Sequence, residues 1–313
     1  MKFLKNLREI KGDASFRNFY RNGENKSIIV FSNKEKNKNL LIYDAINKIL
    51  IKNKILAPKL INQNYLNNYI EIEDFGDQTF FKILKNKKNK YSTFKSIVQI
   101  LNKIQLIKDK RIKNFKNQFY KIQEYKKKIL FKETILFSDW YVTKKLSKSK
   151  SIKFDKKFKL EIKNLLSKLN FKNDTFVHRD FHVSNLMYFN NQIALIDNQD
   201  ASIGNKAYDL ASLIDDVRLK TSTQLKEKVF KYYLIKNKKI KVSKFKKDFE
   251  ILSVLRNLKI IGIFMRLALR DDKRKYLKLI PYAWQMINYR MKKNNNFENL
   301  MFLLRKNFPK SIK

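Results

Sequence analysis

One stretch of the chain, residues 176–217, differs from the rest in charge. The protein has 313 residues, with 71 Lys and Arg against 28 Asp and Glu, and a formal net charge of +43. This stretch instead holds two cations and six acids, and both histidines of the protein, His178 and His182, lie within it. Clustered carboxylates with asparagines nearby are typical of sites that bind a hard divalent cation through oxygen. The stretch is therefore the first candidate for a functional site.

The residue pattern in this stretch predicts a loop followed by a β-hairpin. Apolar and aromatic runs predict three short strands, at residues 175–177, 186–189 and 193–196. A hairpin places the preceding loop beside the end of its second strand, so we expect Asp180, Asn185 and Asp197 to converge. The alternative interpretation is that these residues serve only as turn and cap residues, where Asp and Asn are common.

His178, Asp180 and Asn185, followed by Asp197, resemble the H-x-D-x-x-x-x-N catalytic core and later metal-binding Asp of protein and small-molecule kinases. The longer texts HRDFHVSNLMYF and IALIDNQDASIGNKAYDLASLIDD are similar to the aminoglycoside phosphotransferase/choline kinase-like family. Within it, the chain is most similar to bacterial N-acetylmuramate/N-acetylglucosamine anomeric sugar kinases of cell-wall recycling. Three further stretches carry this resemblance, at residues 12–21, 73–80 and 256–284. It spans nearly the whole chain and is weakest between residues 108 and 174.

The resemblance implies an α+β, two-lobed protein-kinase-like fold. Residues 1–75 would form a nucleotide-binding N-lobe with a small antiparallel sheet. Residues 76–313 would form a mainly helical C-lobe that carries catalytic and substrate-binding residues. The implied reaction is transfer of the γ-phosphoryl group of ATP, with Mg²⁺, to a sugar hydroxyl.

The resemblance also implies roles for particular residues. Asp180 would be the catalytic base, and Asn185 and Asp197 would hold Mg²⁺ against the ATP phosphates. His178 and Asp209 would support the catalytic loop, although Asp209 also fits a helix N-cap. His182 and Asp200 are candidate substrate contacts, with loop packing as the alternative for His182.

The N-terminal residues predict how a nucleotide would be held. Predicted elements include a strand over 26–31, a helix over 40–52 and a strand over 69–73. In the family, the first hairpin covers the ATP phosphates, which here implicates Ser15 and Arg17. Adenine would meet a hinge containing Ile70, Glu71 and Glu73.

Two departures from the kinase pattern lie in this lobe. A G-x-G-x-x-G loop is absent, and the strand SIIVFSNK does not supply the V-A-I-K lysine. The helix LIYDAINKIL also offers no glutamate to pair with such a lysine. The candidates for the phosphate-binding cation are Lys34, Arg17 and Arg21.

The C-terminal part contains an unusual group of arginines. Arg256, Lys259, Arg266 and Arg270 follow helical spacing, in a chain with 59 Lys and only 12 Arg. The planar guanidinium suits carboxylate or phosphate. Arg256 and Arg266 are therefore candidate substrate contacts, unless the stripe is a solvated face paired with acids such as Asp271 and Asp272. Trp140 is a candidate sugar-stacking wall, with a buried aromatic core as the alternative.

The remaining expectations concern the basic surface and the compartment. The lysines are spread almost evenly, so we interpret the charge mainly as compositional bias, and residues 108–132 as a surface helix. The chain has no cysteine, no apolar stretch typical of a secretory signal and no run long enough to span a bilayer. We expect a soluble, cytoplasmic monomer that binds ATP and a sugar, without a specific nucleic acid or membrane partner. The alternatives are choline-, aminoglycoside- or homoserine-like substrates, or a nucleic-acid-binding protein with an inactive kinase fold.

Overall fold

A computed structural model describes residues 7–10, 17–23, 26–32, 38–292 and 294–312. The chain divides into two compact units. The first comprises residues up to 123 together with 175–203, and the second comprises 124–174 and 204–313. The functional boundary expected at residue 75 is not a boundary between these units, and that division stays a prediction.

The first unit contains strands, three helices and the candidate loop. Its elements are β1 (Leu7–Ile10), β2 (Arg17–Asn22), β3 (Ser27–Ser32), α1 (Lys38–Lys52), β4 (Leu60–Asn64), β5 (Tyr69–Glu73), α2 (Phe80–Asn86), α3 (Tyr91–Gln105), β6 (Arg111–Lys113), β7 (Phe119–Lys121), β8 (Thr175–Val177), β9 (Leu186–Phe189), β10 (Gln192–Leu195) and β11 (Ser202–Gly204). The predicted strands at 26–31 and 69–73 correspond to β3 and β5, and the predicted helix at 40–52 to α1. Strands β1 and β4 were not foreseen.

Five of these strands form one antiparallel sheet in the order β1-β2-β3-β5-β4. The sheet packs against α1 through a buried cluster that includes Val30, Leu40, Tyr43 and Ile70. The two central strands β3 and β5 are buried or half-buried along their whole length. The small antiparallel sheet expected from the sequence is therefore confirmed.

The candidate loop leads into the predicted hairpin of β9 and β10. Leu186 pairs with Leu195, and Phe189 pairs with Gln192. The turn is formed by Asn190 and Asn191, which have positive φ angles of 47° and 58°. Asparagine tolerates this backbone region better than most residues, which is why the sequence marked the turn correctly.

The surface helix expected over residues 108–132 is confirmed only for residues 127–132, which begin the helix Lys127–Thr134, and is wrong for residues 111–121. Residues 111–113 and 119–121 instead pair as the antiparallel strands β6 and β7. The Oδ1 atom of Asn114 accepts hydrogen bonds from the backbone N–H groups of Lys116 and Gln118, and Asn117 has a φ of 57°. An asparagine that bonds to the local backbone favours a turn over a helix, and this interaction overrides the lysine-rich composition.

The second unit is helical. It contains α4 (Lys127–Thr134), α5 (Thr143–Lys145), α6 (Lys148–Ser167), α7 (Ala207–Ile214), α8 (Thr223–Lys236), α9 (Val242–Arg270), α10 (Ile280–Met291) and α11 (Glu298–Asn307), with a π-helical turn over Phe137–Val142. The segment from Arg256 to Arg270, whose spacing in the sequence is helical, is the C-terminal part of α9. No helix among the described residues combines the length and apolar character needed to cross a membrane.

Helix α9 is the core of this unit. Most of its side chains from Phe245 to Ala268 are buried. At Gly262 a Cβ atom would overlap the backbone of Leu136 and Phe137, at the start of the π-helical turn. Glycine is required here because the two backbones approach too closely for any side chain.

A buried charged cluster joins three helices of the second unit. The Asp215 carboxylate, which is fully buried, accepts hydrogen bonds from Arg290 Nε at 2.7 Å and Nη2 at 3.0 Å, and from Ser253 Oγ at 2.6 Å. The Nζ atom of Lys226 lies 3.3 Å from Asp215 Oδ1. Burial by itself opposes ionisation, but Arg290 and Lys226 outweigh it and hold the pKa of Asp215 below its usual range. Asp215, one of the six acids that marked residues 176–217, therefore has a structural role.

We expect Asp215→Asn to lower the free energy of unfolding by about 3–5 kcal/mol, because Arg290 and Lys226 would be left buried without a counterion. Urea denaturation at neutral pH measures this change. The matched control is Asp272→Asn, because Asp272 and its partner Arg274 are 83% and 81% exposed, and such pairs contribute little.

The same measurement has a pH dependence. The folded-state pKa of Asp215 is lowered, so its contribution is fully present above the ordinary value of 3.8 and is lost as the pH falls below it. The stability difference between wild type and Asp215→Asn should therefore narrow in acid. If the difference in unfolding free energy between the two proteins did not change with pH, Asp215 would not be ionised in the folded state.

Candidate active site

The loop after β8 is built from local hydrogen bonds. The backbone N–H of His182 donates to the carbonyl of Asp180 at 3.0 Å, and that of Asn185 donates to the carbonyl of His182 at 2.9 Å. The Asn185 Nδ2 atom donates to the same Asp180 carbonyl at 3.1 Å. Arg179 has a φ of 71°, so the chain turns sharply just before Asp180. Asp180 and Asn185 are thus joined within a single turn of chain.

The hairpin brings Asp197 to this loop. The backbone N–H of Ile196, immediately before Asp197, donates to the carbonyl of Asn185 at 3.1 Å. Asp197 then adopts a left-handed conformation with a φ of 62° at the end of the strand. The structure therefore brings Asp180, Asn185 and Asp197 together, as the hairpin pattern indicates.

Arg17 on β2 bonds to the Asp197 carboxylate. Its Nη2 atom lies 2.7 Å from Asp197 Oδ1, and its Nη1 atom lies 2.7 Å from Gln199 Oε1. Gln199 Nε2 also donates to Asp197 Oδ1, at 3.2 Å. The Arg17 side chain is only 3% exposed, whereas that of Asp197 is 39% exposed. The carboxylate is therefore fixed on one side and open to solvent on the other.

The remaining oxygens suit a magnesium ion. Within the described ranges, no protein donor bonds to Oδ2 of Asp197 or to Oδ1 of Asn185. No group of three or more His, Cys, Asp or Glu side chains in the described part of the chain forms a metal site. Mg²⁺ commonly takes only one or two protein oxygens and completes its shell with phosphates and water. Asp197 and Asn185 fit that need.

A buried chain of hydrogen bonds supports the loop from below. His178 Nε2 lies 2.8 Å from Asn198 Oδ1 and 3.2 Å from the carbonyl of Ile196, so this nitrogen is the protonated donor. Asn198 Nδ2 donates to Asn47 Oδ1 at 2.9 Å, and Asn47 Nδ2 donates to the carbonyl of Pro58 at 3.0 Å. His178, Asn198 and Asn47 are all buried. Helix α1 is thereby bonded to the loop.

Two predicted substrate contacts lie beside this chain of bonds. His182 is 5% exposed, with Nε2 3.5 Å from Asn185 Nδ2. Asp200 is exposed, and its Oδ2 accepts a hydrogen bond from Gln199 Nε2 at 3.0 Å. Arg179 Nη1 donates to the Asp200 carbonyl at 3.1 Å. Asp200 therefore has a side chain within reach of solvent, whereas His182 packs into the loop.

The predicted hinge strand exposes little of its side chains. Ile70 is fully buried against α1, and Glu71 is buried and accepts a hydrogen bond from Ser27 Oγ. The half-buried Glu73 has its Oε2 atom 3.5 Å from the backbone nitrogen of Lys59. At this strand, contact with a base would have to be made through the main chain. Ser15 and Lys34 lie outside the described residues.

Arg21 binds acidic residues that follow the hinge strand and is not an unoccupied cation for phosphate. Its Nε and Nη2 atoms donate to Asp74, at 2.5 and 3.1 Å, and its Nη1 atom donates to Asp77 at 2.8 Å. These bonds, with that to Asp77 largest, raise the pKa of Arg21. Asp74 Oδ1 also accepts from the N–H of Gly76, whose φ is 75°. Arg21 therefore already has two carboxylate partners.

The other candidates lie in the second unit. Arg256 is 4% exposed, and its Nη1 atom has no hydrogen-bond partner among the described residues. The Nε atom of Arg266 is likewise buried without one, and burial is the main cause that lowers the pKa of Arg266. Asp209 is fully buried in the first turn of α7.

The arginine stripe on α9 does not behave as one surface. Lys259 Nζ lies 3.0 Å from Glu133 Oε2, and the exposed Arg270 bonds to Asp271 at 2.7 Å. Arg256, by contrast, is buried. The alternative of paired acids is correct for the Asp271 end, whereas neither Arg256 nor Arg266 forms an ion pair with any residue that the structure describes.

Trp140 differs from its neighbour Tyr141. Trp140 is half-buried, whereas Tyr141 is buried against Phe137, Trp284 and Phe308. Tyr141 and Trp284 also line a cavity of about 1060 Å³ within the second unit, and Trp140 is not among its lining residues. Tyr141, rather than Trp140, therefore belongs to a buried aromatic core.

Sequence reasoning missed Asn47, Tyr43, Asn198 and Gln199. Asn198 and Gln199 directly follow Asp197, so their position in the sequence could have indicated that they belong to the site. Asn47 and Tyr43 lie on α1, more than a hundred residues away in sequence, and no local pattern marks them. Their contribution depends on tertiary contact.

Comparison with known proteins identifies the family of this chain. A model of the phosphotransferase enzyme family matches residues 6–240. The chain belongs to this family and is a small-molecule kinase, a phosphotransferase with an alcohol group as acceptor. This finding confirms the prediction that the protein is an enzyme.

Two curated relatives share one name. An N-acetylmuramate/N-acetylglucosamine kinase of Neisseria meningitidis is 24% identical over 92% of this chain and 85% of its own. A kinase of the same name from Pseudomonas putida is 25% identical over 90% and 82%, respectively.

Solved structures show the same fold. A choline/ethanolamine kinase family protein from Mesorhizobium loti has a TM-score of 0.64 at 11% identity, over 97% of this chain and 94% of that one. An ADP-bound aminoglycoside phosphotransferase has a TM-score of 0.58 at 18% identity, over 91% and 94%. The kinase-like α+β fold implied by the sequence is therefore confirmed.

We expect Asn198→Ala to destabilise the protein by about 2 kcal/mol or more, because His178 and Asn47 would each lose a buried partner. Turnover should fall as well, since the loop would lose its support. Thermal unfolding and steady-state kinetics measure the two effects. Asn89→Ala, at an exposed residue with one local bond to Tyr91, is the control. Equal behaviour of the two variants would contradict a supporting role for Asn198.

Proposed function

We propose that the protein is an ATP- and Mg²⁺-dependent kinase that phosphorylates the anomeric hydroxyl of N-acetylmuramate or N-acetylglucosamine. The observation that carries this proposal is the pair of curated relatives of that name, which align over at least nine tenths of this chain. The arrangement of Asp180, Asn185 and Asp197 supports the same chemistry. A role in cell-wall recycling in the cytoplasm, by a monomer, follows from this substrate assignment and is part of the proposal.

In this proposal Asp180 is the catalytic base. Its carboxylate accepts the proton of the anomeric hydroxyl while the sugar oxygen forms a bond to the γ-phosphorus. The bond from that phosphorus to the bridging oxygen breaks, and ADP leaves with the bonding electron pair. The protonated Asp180 then releases its proton to solvent. The protein mainly positions these groups, because phosphoryl transfer requires little covalent chemistry from it.

Asp197 Oδ2 and Asn185 Oδ1 are the proposed ligands of Mg²⁺. A bound Mg²⁺ neutralises charge on the phosphate oxygens. Asn185 also donates to the Asp180 carbonyl, so the base and the ligand are oriented together. His178 and Asp209 are the proposed supports, and for His178 the bond to Asn198 is the physical means.

The nucleotide would lie against the five-stranded sheet. Ser15 and Arg17 belong to the hairpin proposed to cover the phosphates, and Ile70, Glu71 and Glu73 to the hinge proposed to meet adenine through backbone groups. The functional division into a nucleotide lobe, 1–75, and a catalytic and substrate lobe, 76–313, is retained in this proposal.

The proposed contacts to the sugar are His182, Asp200, Trp140, Arg256 and Arg266. The argument is strongest for Arg256, because a buried guanidinium with an unbonded nitrogen is costly unless an anion joins it. N-acetylmuramate carries a carboxylate, and N-acetylglucosamine does not. Arg256 is therefore proposed to favour the acidic sugar.

The proposal is tested with purified protein, ATP and Mg²⁺ by measuring ADP release and the phosphorylated sugar. We expect turnover with one or both amino sugars, and Asp180→Asn should lower kcat about 10²–10⁴-fold because the general base is lost. Asp272→Asn, at an exposed site, is the matched control.

The same assay separates other acceptors. Turnover with choline, homoserine or an aminoglycoside, and none with the amino sugars, would overturn the sugar assignment. Full activity of Asp180→Asn on a verified acceptor would overturn the assignment of the base.

Arg256→Met gives a charge-specific prediction. We expect KM for N-acetylmuramate to rise about tenfold or more, the loss of roughly one charge-assisted hydrogen bond. KM for N-acetylglucosamine should change little, and the melting temperature should stay the same or rise, because the removed guanidinium has a buried nitrogen that no described residue bonds. An equal rise in KM for both sugars would contradict recognition of the carboxylate.

A further inference from the structure

A kinase site needs a fixed cation beside the nucleotide phosphates. The strand lysine that usually supplies this cation is absent from strand β3. Strand β3 reads SIIVFS and contains no lysine, and helix α1 contains no glutamate that could pair with one. The lysine and glutamate that hold phosphates in other kinases are therefore missing together. Another cation must take over this role if the proposed function is correct.

Arg17 lies on the neighbouring strand and is already bonded to the metal-binding carboxylate. Its Nη2 and Nη1 atoms donate to Asp197 Oδ1 and Gln199 Oε1, both at 2.7 Å. Gln199 closes a triangle by donating to the same Asp197 oxygen. These bonds to Oδ1 leave Oδ2 of Asp197 without a donor among the described residues, on a side chain that is partly exposed.

Two aromatic rings hold the guanidinium in place. The Cζ atom of Arg17 lies 5.6 Å from the ring centre of Phe19 and 5.6 Å from that of Tyr43. Tyr43 projects from α1, and burial is the main cause that raises its pKa to about 12, so the phenol is neutral at physiological pH. A planar guanidinium stacks well on such rings, whereas a lysine ammonium does not reproduce the same geometry.

The other arginine of the strand has a different task. Arg21 lies four residues further along β2, where it bonds to Asp74 and Asp77. Arg17 is the first described residue after the segment that is proposed to cover the phosphates. Of the two β2 arginines, Arg17 is thus the one next to both the proposed phosphate cover and the metal-binding carboxylate.

We propose that Arg17 is the nucleotide-phosphate cation of this enzyme and the positioning residue of Asp197, in place of the missing strand lysine. The inference rests on the proposed function for its kinetic consequences, but its binding consequence can be measured without any sugar. The aromatic pair of Phe19 and Tyr43 replaces the missing glutamate as the element that holds the cation.

The first test compares Arg17→Ala and Arg17→Lys with wild type. We expect kcat/KM for ATP to fall about 10²–10³-fold in Arg17→Ala, the cost of losing a donor to developing phosphate charge. Arg17→Lys should recover only a small part, because it lacks the fork and the stacking plane. Arg8→Ala, which removes an exposed arginine from β1 of the same sheet, is the control and should match wild type.

The second measurement is calorimetric titration of ATP, with and without Mg²⁺ and with no sugar present. ATP affinity should fall about tenfold or more in Arg17→Ala. The Mg²⁺ concentration that gives half-maximal binding should rise, because Asp197 has lost its orientation. A purely structural role would lower the melting temperature without shifting this Mg²⁺ dependence.

Chemical rescue separates two contributions of the Arg17 side chain, namely its positive charge and its planar guanidinium shape. In Arg17→Ala, low millimolar guanidinium should restore part of the activity and of the ATP affinity by binding beside Phe19 and Tyr43, and ammonium at the same concentration should not. Tyr43→Leu, which removes the aromatic ring, should weaken ATP binding.

The outcomes distinguish the two proposals. Wild-type protein that binds ATP but phosphorylates no sugar would overturn the substrate assignment. The ATP titrations would still test the proposed role of Arg17. Arg17→Ala that binds ATP and Mg²⁺ like wild type would overturn this inference, whatever the acceptor. Wild-type protein that binds no ATP would overturn both.

Discussion

The buried hydrogen bonds among His178, Asn198 and Asn47 are the interaction on which the site depends. They join three separate parts of the chain: the loop after β8, the residue directly after Asp197, and helix α1. Each side chain would be costly to bury alone, so the three are stable only when all are in place. The loop is therefore rigid where it carries Asp180 and Asn185. The same helix carries Tyr43, whose ring centre lies 5.6 Å from Cζ of Arg17.

Charge has a different meaning in different parts of this protein. The abundant lysines are a background that gives little information about the site. The informative charges are those removed from solvent, namely Arg17, Asp215, Arg256 and Arg290. Asp215 and Arg290 compensate each other and hold helices together, whereas Arg17 and Asp197 form a pair that is half-open to solvent. Arg256 has a buried nitrogen to which no residue in the described part of the chain bonds. Burial, rather than net charge, thus separates structural ions from candidates for binding.

Local patterns in the sequence predicted much of the first unit. The turn at Asn190 and Asn191, the strands on either side and helix α1 follow from short-range preferences, which a single sequence carries well. Residues 111–121 show where this fails, because the lysine-rich composition indicated a helix and Asn114 instead forms a turn between two strands. The acidic stretch was also a mixed signal, since Asp197 belongs to the loop cluster whereas Asp215 lies in an ion cluster of the other unit.

The sequence by itself determined the class of enzyme, because the residues Asp180, Asn185 and Asp197 lie close together in the chain and their spacing survives folding as a loop and a hairpin. It could not determine which cation serves the phosphates. Arg17 is 180 residues from Asp197, and its contact with that carboxylate exists only because β2 is brought to the end of β10. Likewise, packing decides that no described residue bonds the Nη1 atom of Arg256, since the sequence offered Asp271 and Asp272 as partners for the stripe. Long-range contacts and desolvation decide such questions, and neither is encoded in local spacing.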